Sequence, residues 1–384
     1  MQVTRLKLKN WRNFRGIDVP LRDVSYFLGP NASGKSNVLD VFRFLRDVSK
    51  PTGGGLQVAV AQRGGISKLR CLHARRDPEV LIEVDLSESS DDPFPSWQYV
   101  LGFKPEGKGA QRILVSREEV WRNGKMLFSR PDGDDEIDEV LLTQTRLEQI
   151  SANVKFRPLA DFFGAVTYLH LVPQLLKYAE KIGGHRLEDD PFGQGFLERI
   201  AKTPDRTRIA RLKKISEALT LAVPQFKELR FVKDEVGHPH LEARYAHHRP
   251  NAGWQSEEHF SDGTLRLLGL LWSLLDGSSM LLLEEPEISL NDAVVKEIPI
   301  IIQRLQRNRK IKRQIIISTH SEALLSNPGI DGRGVVLLEA GTDGSTGRTL
   351  QQDEAIALEA GLSVAEVVLP KTRPASVNQL GLWE

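Results

Sequence analysis

One octapeptide near the beginning of the chain constrains the fold more than any other feature. It reads GPNASGKS, residues 29–36, and fits the pattern G-x-x-x-x-G-K-[ST] at every position. The apolar run Val24 to Leu28 before it predicts a buried strand, and the segment NVLDVFRFLRDVSK after it has apolar residues at helical spacing. The sequence therefore predicts a strand, a glycine-bearing loop and a helix, the context in which this pattern wraps phosphate groups.

This loop supplies the groups that phosphates need. Gly29 and Gly34 let the backbone wrap so that successive N–H groups, that of Ser33 among them, and the helix N-terminus point at negative charge. Lys35 is expected to reach the β- and γ-phosphates of ATP, and the Ser36 hydroxyl to bind Mg²⁺. The alternative is a glycine turn that binds nothing, and the matching strand and helix argue against it.

Bulk composition sets limits on the class of protein. The 384 residues exceed the size at which one hydrophobic core stops growing, so a large α/β domain with an insertion is expected. A formal charge of +1 gives no global basic field, so any DNA contact must be a local patch. The single cysteine, Cys71, excludes an internal disulfide, and no apolar stretch approaches about 18 residues. We therefore expect a soluble, cytoplasmic protein with no membrane partner.

Other segments predict two lobes. A strand of edge type is predicted at Val3 to Lys9, and further strands at Val80 to Leu86 and Trp97 to Phe103. From about Asp134 to Ile215 the pattern becomes helical and charge-rich, which indicates a helical insertion. The predicted division is an N-terminal part with the loop and a β-rich lobe (1–135), a helical insertion or second lobe (136–250) and a C-terminal part (251–384).

Two apolar runs in the C-terminal part predict a βαβ unit. Met280 to Leu283 and Ile315 to Ile317 are typical of buried parallel strands and flank a helical segment. The first run leads into LLLEEPE, where Glu284 could hold Mg²⁺ through water while Glu285, on the opposite side of the chain, positions and deprotonates a water. Read alone, these acids would be an ordinary strand-to-loop turn. The octapeptide at 29–36, which has the P-loop pattern, favours the functional interpretation.

Two more polar groups fall beside these strands. His320 follows the second run, near the same sheet edge, and could hydrogen-bond a γ-phosphate. A lone histidine is more often structural, but its position about 35 residues after the paired acids favours the functional interpretation. Ser261-Asp262-Gly263-Thr264 precedes a buried helix predicted from TLRLLGLLWSLLD. This start is either a plain N-cap or an anion-binding site.

The order of the P-loop, the SDGT helix start, the LLLEEPE strand and the STHS strand resembles the ABC-type ATPase heads of the SMC, RecF and OLD group. The opening KNWRNFRG is similar to the first strand and turn of that group, and the resemblance covers about residues 1–70 and 255–340. It implies an α/β P-loop NTPase fold: an ABC-ATPase-like, two-lobed head with a mixed sheet and a helical insertion.

The resemblance also implies roles for particular residues. In that group ATP is sandwiched between two heads, so that Ser261 and Gly263 would bind the γ-phosphate of the partner's ATP. Glu284 would take the Mg²⁺ role, Glu285 that of the catalytic base and His320 that of the γ-phosphate switch.

Three further positions follow from the same resemblance. Arg12 matches a nucleotide-contacting arginine near the first strand, and Asn31 would contact phosphate or the partner head. A glutamine between the P-loop helix and the β-rich part ligates Mg²⁺ in such heads, and Gln62 is preferred here to Gln57.

Two sequence differences from this group indicate which of its members the chain resembles most. The segment that corresponds to the signature motif of ABC ATPases, residues 261–264, reads SDGT rather than a two-glycine form. Glu284 stands where many ABC proteins have aspartate. Both variants suit the OLD-like and RecF-like side, which includes many bacterial proteins of genome maintenance and phage defence. The segment 321–384 lacks an acidic constellation like that of a Toprim module, so we expect that the chain is not itself a nuclease.

Two remaining features have plain explanations. Four histidines suggest a metal site, yet no cysteine and no helical i, i+4 pairing supports it, so a solvated hairpin is preferred; they are His238, His240, His247 and His248. The basic runs Arg199 to Lys214 and Arg304 to Arg313 could hold a phosphate backbone, but solvated helix faces explain them equally well.

Three hypotheses follow. In the leading one, ATP closes a homodimer or higher oligomer, hydrolysis opens it, and the insertion couples this cycle to DNA or to a partner effector. Lys35, Mg²⁺ and the partner helix would neutralise charge as water attacks the γ-phosphate. In the second, the chain binds ATP with negligible turnover and holds a separately encoded nuclease or toxin. The third, a transporter's nucleotide-binding subunit, is disfavoured by the NWRNF opening and the large insertion.

Overall fold

The architecture is organised by one large mixed sheet. The computed structural model describes residues 1–74, 77–107, 112–178, 190, 192–246, 253–307 and 312–372. Twelve strands form the main sheet in the order β7-β6-β5-β4-β1-β2-β15-β14-β3-β13-β12-β8, and β11-β10-β9 form a smaller one. The strands are β1 (Gln2–Trp11), β2 (Phe14–Pro20), β3 (Val24–Leu28), β4 (Val80–Ser87), β5 (Trp97–Pro105), β6 (Ile113–Arg122), β7 (Lys125–Arg130), β8 (Thr167–Leu169), β9 (Phe226–Lys233), β10 (Pro239–Tyr245), β11 (Gln255–Ser256), β12 (Leu281–Glu284), β13 (Ile315–Thr319), β14 (Val335–Gly341) and β15 (Gly344–Thr349).

The half of the sheet that carries the candidate site is parallel. Strands β14, β3, β13, β12 and β8 pair in parallel, with Ile316 opposite Ser25 and Leu282 opposite Ile316. Their apolar runs are buried on both faces, as is typical of parallel strands covered by helices. The C-terminal ends of β3, β12 and β13 therefore lie at one edge, where α/β sheets bind ligands.

The other half is antiparallel, and it corrects one expectation. The segment predicted as an edge strand at Val3–Lys9 is β1, which pairs with β2 on one side and β4 on the other. Its basic residues pair with acids of those neighbours: Arg5 with Asp18, and Lys7 with Glu83 at 3.0 Å. Cross-strand ion pairs satisfy the charges that suggested a free edge.

Helices cover both faces. They are α1 (Lys35–Ser49), α2 (Leu56–Ala61), α3 (Ile66–Leu69), α4 (Gly133–Ile137), α5 (Arg157–Gly164), α6 (Pro173–Lys177), α7 (Phe196–Lys202), α8 (Asp205–Ala222), α9 (Asp262–Leu275), α10 (Asp292–Arg307), α11 (Glu322–Leu325), α12 (Gln352–Glu359) and α13 (Val364–Thr372), with 3₁₀ turns at Glu139–Thr143, Asn153–Lys155, Glu257–His259 and Gly332–Gly334. Two hydrophobic clusters result, because alternate strand residues face opposite sides: Phe27 joins one cluster, whereas Tyr26 and Leu28 join the other. None of the helices in the described ranges is both long and apolar enough to cross a bilayer.

The middle of the chain is less helical than expected. Within the predicted insertion at 136–250, β8 is a strand of the main sheet that pairs with β12, and β9 and β10 form an antiparallel hairpin. The three residues of β8 are too few to show a strand period, which is why the sequence pattern indicated helix there. Residues 136–250 therefore include a strand of the main sheet, and their assignment as an insertion or second lobe stays a prediction.

Candidate functional site

The P-loop occupies the predicted turn between β3 and α1. Gly34 has φ of +104°, and a Cβ atom there would lie 2.5 Å from Asn13 Nδ2, so the loop requires glycine at this position. The Asn13 amide donates to Ser33 O at 3.0 Å and to Ser345 Oγ at 2.7 Å, and Asn37 donates to Asn13 Oδ1 at 2.7 Å. Asn13 thus fixes the loop to its surroundings.

Lys35 is folded over its own loop. Its ammonium donates to Gly29 O at 2.9 Å and Pro30 O at 3.2 Å. Burial lowers the pKa of Lys35, while Glu285, Glu287 and Glu284 act in the opposite direction. A phosphate group would give this ammonium an anionic partner in place of two carbonyls.

Glu284 and Ser36 meet although 248 positions separate them in sequence. The Ser36 hydroxyl donates to Glu284 Oε1, and the hydroxyl of Tyr168 donates to the other carboxylate oxygen, Oε2. A hydroxyl and a carboxylate are the oxygen ligands that Mg²⁺ prefers. This pair could therefore supply two oxygen ligands to Mg²⁺.

Glu285 and His320 form a second contact at the same edge. His320 Nδ1 lies 3.0 Å from Glu285 Oε1. Glu285 has φ of +43°, which is uncommon for a residue with a side chain, and its N–H donates to Ser318 O at 2.9 Å. The predicted base and the predicted switch residue are thus neighbours at the ends of β12 and β13.

A third carboxylate, Glu287, belongs to this cluster and sequence reasoning missed it. Its Oε1 accepts from Thr319 Oγ1 at 2.5 Å and from the His320 N–H at 3.4 Å. Burial raises the pKa of Glu287. Within the described residues its Oε2 is buried without a hydrogen-bond partner, as are Ser33 Oγ and Ser318 Oγ.

The signature residues open helix α9. Ser261 is its N-cap, with Oγ accepting from the Thr264 N–H at 3.1 Å. A Cβ atom on Gly263 would lie 2.6 Å from Ser289 O, in the loop that follows β12. In the ranges that the structure describes, no hydrogen bond or ion pair joins Ser261 or Gly263 to the P-loop of the same chain.

Arg12 has a protein partner. Its guanidinium donates to Asp40 Oδ2 at 2.7 and 3.2 Å, and Arg63 also pairs with Asp40 at 3.0 Å. Burial acts to raise the pKa of Asp40, but Arg63 and Arg12 outweigh it, so this pKa is lowered. Arg12 is thereby tied to α1, the helix that begins at Lys35.

The two candidate glutamines differ. The side-chain amide of Gln57 hydrogen-bonds to the backbone. Its Nε2 donates to Ile113 O and Thr143 O, each at 2.7 Å, and its Oε1 accepts from the Ile113 N–H. Gln62 is exposed at the end of α2. Neither glutamine hydrogen-bonds to Ser36 or Glu284 within the described residues.

Asn31 is exposed and faces a cleft. A cavity of about 840 Å³ is bounded by P-loop residues 29–31, by His320 and Glu322, and by helix α13. Helix α13 therefore forms a wall beside the phosphate-binding loop, which the sequence did not predict.

His238, His240 and the first basic run make contacts with residues outside this cluster. His238 contacts Asp234 at 3.2 Å and His240 contacts Glu257 at 2.9 Å, while His247 and His248 lie outside the described residues. The basic run 199–214 lies on α7 and α8, and Arg211 there pairs with Asp276 at 2.7 Å.

The second basic run, 304–313, is only partly described, since residues 308–311 lie outside the described ranges. Arg313 corrects the view of this run as a surface, because it is buried and donates to Ser273 O at 2.5 Å and Asp276 O at 2.6 Å. Lys312 pairs with Asp23 at 2.7 Å. This run is therefore at least partly structural.

Comparisons with known proteins identify a family and several proteins of similar fold. The model of the family described as "AAA domain, putative AbiEii toxin, Type IV TA system" matches residues 25–326. The DNA replication and repair protein RecF of Roseiflexus castenholzii (strain DSM 13941 / HLO8) is 31% identical over 100 residues, which span 24% of this chain and 25% of that protein. The match thus covers about a quarter of the length of this curated relative.

Solved structures share the fold over most of the chain. The Smc head bound to the C-winged helix domain of ScpA is 17% identical, with a TM-score of 0.55 over 92% of this chain and 100% of that one. The Smc head derived from Pyrococcus furiosus, bound to the C-terminal domain of ScpA, is 14% identical, with a TM-score of 0.52 over 93% of this chain and 98% of that one. At these identities the likeness concerns the fold. The chain belongs to the family described as "AAA domain, putative AbiEii toxin, Type IV TA system", and it shares its fold with the heads of Smc proteins.

Proposed function

We propose that this chain binds ATP with Mg²⁺ and hydrolyses it. The observation that carries the proposal is the convergence at one sheet edge of two contacts, Ser36 with Glu284 and His320 with Glu285, beside the ammonium of Lys35. Members of this family are P-loop ATPases, and the edge is where such sheets bind ligands.

The residues present fit both ATP and Mg²⁺. Among the described residues Ser33 Oγ is buried without a hydrogen-bond partner, and the loop at Gly34 leaves no room for a side chain. Ser36 and Glu284 would hold Mg²⁺, with exposed Gln62 as a further candidate ligand. When bound, the ion neutralises charge on the β- and γ-phosphates.

The chain's own residues then have distinct tasks. Lys35 would exchange its two backbone carbonyls for phosphate oxygens, and the P-loop N–H groups would hold the remaining phosphate charge. Glu285 would accept a proton from the attacking water, and His320 would hydrogen-bond the γ-phosphate while its Nδ1 stays near Glu285. Arg12 and Asn31 would also contact the nucleotide.

We further propose that the site is completed by a second copy of the chain. Ser261 and Gly263 expose a helix N-terminus suited to an anion, yet they make no contact with their own P-loop within the described residues. A partner's γ-phosphate is therefore the proposed ligand of this helix start. ATP would close a homodimer or higher oligomer, and hydrolysis would open it.

The cycle is proposed to control DNA engagement or a partner effector, in DNA repair or in defence against phage. The printed name of the RecF relative favours DNA repair, and the family description, which names a putative toxin of a toxin–antitoxin system, favours a role in defence. An exposed basic helix, α8, is a candidate DNA contact. In the alternative, the chain is a scaffold with negligible turnover that holds such an effector.

Point variants test the catalytic assignment. Lys35→Ala is expected to lose binding of a fluorescent ATP analogue. Glu285→Gln is expected to bind it normally, to hydrolyse ATP at least about 100-fold more slowly and to accumulate as an ATP-dependent dimer in light scattering. Normal turnover by Glu285→Gln would refute the assignment of the base.

Mixing two inactive variants tests the composite site. A Lys35→Ala chain keeps its signature helix and a Ser261→Arg chain keeps its P-loop, so their heterodimer contains one intact site. Hydrolysis is expected to return when the two are mixed and to be absent from either alone. If mixing restores nothing while both variants fold, the site is not shared between chains.

The rate of ATP hydrolysis distinguishes the DNA-coupled ATPase from the scaffold. Stimulation of hydrolysis by duplex DNA supports a DNA-coupled ATPase. Turnover below detection with normal ATP binding, with or without DNA, supports the scaffold instead.

A further inference from the structure

The carboxylate of Glu284 is held at both of its oxygens. Ser36 donates its hydroxyl to Oε1, and Tyr168 donates its hydroxyl to Oε2. The two donors come from different parts of the chain: Ser36 from the start of α1, and Tyr168 from β8, 116 positions before Glu284. The orientation of this carboxylate is therefore set jointly by the P-loop helix and by an edge strand.

Tyr168 is itself fixed on several sides. It is only 7% exposed, and β8 pairs in parallel with β12 so that Tyr168 lies opposite Leu282, two residues before Glu284. The guanidinium of Arg43 lies 4.3 Å from the centroid of its ring, a cation–π contact. Because Arg43 belongs to α1, as Ser36 does, both donors are anchored to the same helix.

A glutamate at position 284 benefits more than an aspartate would from a second hydrogen-bond donor to its carboxylate. Compared with aspartate, its side chain has one more methylene and one more rotatable bond, so its carboxylate has more orientations to lose on binding a ligand. One hydrogen bond from Ser36 leaves the second oxygen free to swing. A second donor at Oε2 removes that freedom before any ligand arrives, and preorganisation of this kind increases affinity.

We propose that Tyr168 is a positioning residue whose hydroxyl orients Glu284 toward Ser36 and the Mg²⁺ site, which rests on the proposed ATPase function. In this proposal Tyr168 acts through Glu284, the carboxylate to which its hydroxyl donates. Its ring also packs in the hydrophobic cluster under α1. The hydroxyl is separable from that packing role, because Tyr168→Phe keeps the ring and removes only the donor.

The chain offers a matched control in Tyr99. Tyr99 is fully buried and its hydroxyl also donates to a buried carboxylate, Glu118 Oε1, at 3.1 Å, but in the antiparallel half of the sheet. Tyr99→Phe therefore removes the same kind of hydrogen bond away from the P-loop. A general effect of losing a buried hydroxyl appears in both variants, whereas a metal-positioning effect appears in Tyr168→Phe alone.

The test measures metal binding directly. Mn²⁺ is titrated into the full chain with ATPγS, and free Mn²⁺ is followed by electron paramagnetic resonance. We expect the Mn²⁺ dissociation constant to rise about 10-fold in Tyr168→Phe and less than 2-fold in Tyr99→Phe, with ATPγS binding without metal unchanged in both. In a Glu284→Asp background the side chain is one methylene shorter. Adding Tyr168→Phe to it is expected to change the Mn²⁺ dissociation constant less than 2-fold.

The outcomes are distinguishable. Wild-type affinity for Mn²⁺ in Tyr168→Phe, or an equal loss in Tyr99→Phe, overturns the positioning role and leaves the proposed function standing. A full 10-fold effect of Tyr168→Phe in the Glu284→Asp background also overturns it, because the hydroxyl would then act without Glu284. Failure of the unaltered chain to bind Mn²⁺ with ATPγS overturns both the positioning role and the proposed function.

Discussion

Thr319 donates its hydroxyl to Glu287 Oε1 over 2.5 Å, which ties the end of β13 to the turn after β12. Both residues are buried, and the His320 N–H reaches the same oxygen at 3.4 Å. The side chain of His320 contacts Glu285 of that turn, so one turn holds both the backbone and the ring of the histidine.

Glu287→Ala is therefore expected to lower the free energy of unfolding by about 2 kcal/mol, because it leaves the Thr319 hydroxyl without its acceptor. Turnover should also fall, since His320 loses a backbone contact. Glu287→Gln keeps a carbonyl acceptor and removes the buried charge, so its cost should be under about 1 kcal/mol. Urea unfolding and steady-state hydrolysis measure both effects; equal losses in the two variants would contradict the role of the acceptor.

Asn13→Ala is expected to weaken binding of a fluorescent ATP analogue about 10-fold, because the amide that holds Ser33 O is lost and the P-loop must be ordered by the ligand. The control is Asn153→Ala, which removes a buried amide that donates to Leu147 O at 2.9 Å, away from the loop. Both variants should lose stability in urea, but only Asn13→Ala should lose affinity. Equal affinities in the two would remove Asn13 from the binding site.

Gly263→Ala should disturb the start of α9, because its Cβ would lie 2.6 Å from Ser289 O and one backbone has to move. We expect a loss of about 1 to 3 kcal/mol in unfolding free energy and reduced ATP-dependent dimer formation. Gly164→Ala, at the end of α5, meets nothing closer than Ser49 Oγ at 3.5 Å and should be neutral or slightly stabilising. A tolerated Gly263→Ala with normal dimerisation would show that the helix start has room to adjust.

Glu354 predicts a specific acid sensitivity. Arg348, then Lys371 and the Gln351 N–H, lower the pKa of Glu354 from 4.5 to about 2, against the effect of burial. A lowered pKa means that its stabilisation is present above pH 4.5 and is lost as the pH falls from 4.5 towards 2. Glu354→Gln should thus cost about 1 to 2 kcal/mol at pH 7, and the difference from the unaltered chain should shrink over that range.

The control for this pH dependence is Glu339→Gln, which removes an exposed partner of the same Arg348 at 3.1 Å. Exposed ion pairs contribute little, so its cost should stay below about 0.5 kcal/mol at every pH. Urea unfolding at pH 7, 4 and 3 compares the two variants. A Glu354→Gln deficit that is constant with pH would exclude the titration of this carboxylate as its cause.

The sequence was informative where elements are long and strongly patterned. Apolar runs predicted β3, β12 and β13, and helical spacing predicted α1, so Ser36, Glu284, Glu285 and His320 could be placed at one sheet edge before the structure was known. Those elements carry their own pattern because each is buried on a whole face.

The rest of the site depends on tertiary contacts that leave no local signal. Tyr168 lies on a three-residue strand and Glu287 follows an acidic turn, so neither stands out without knowledge of its partner. Asn13 lies in the opening KNWRNFRG, which the family resemblance had indicated, but only the fold shows that its amide reaches Ser33. The basic residues of β1 suggested an edge strand, and this prediction was wrong because their acidic partners lie on the neighbouring strands β2 and β4.

The distance of 248 positions between Ser36 and Glu284 has a consequence during synthesis. At about 5 to 20 residues per second, the P-loop leaves the ribosome roughly 10 to 50 s before its carboxylate partner. Throughout that interval β3 has neither β13 nor β14 beside it, since both neighbours are encoded later in the chain. A nascent chain that ends before β13 therefore lacks the assembled sheet edge on which the proposed binding of nucleotide and metal depends.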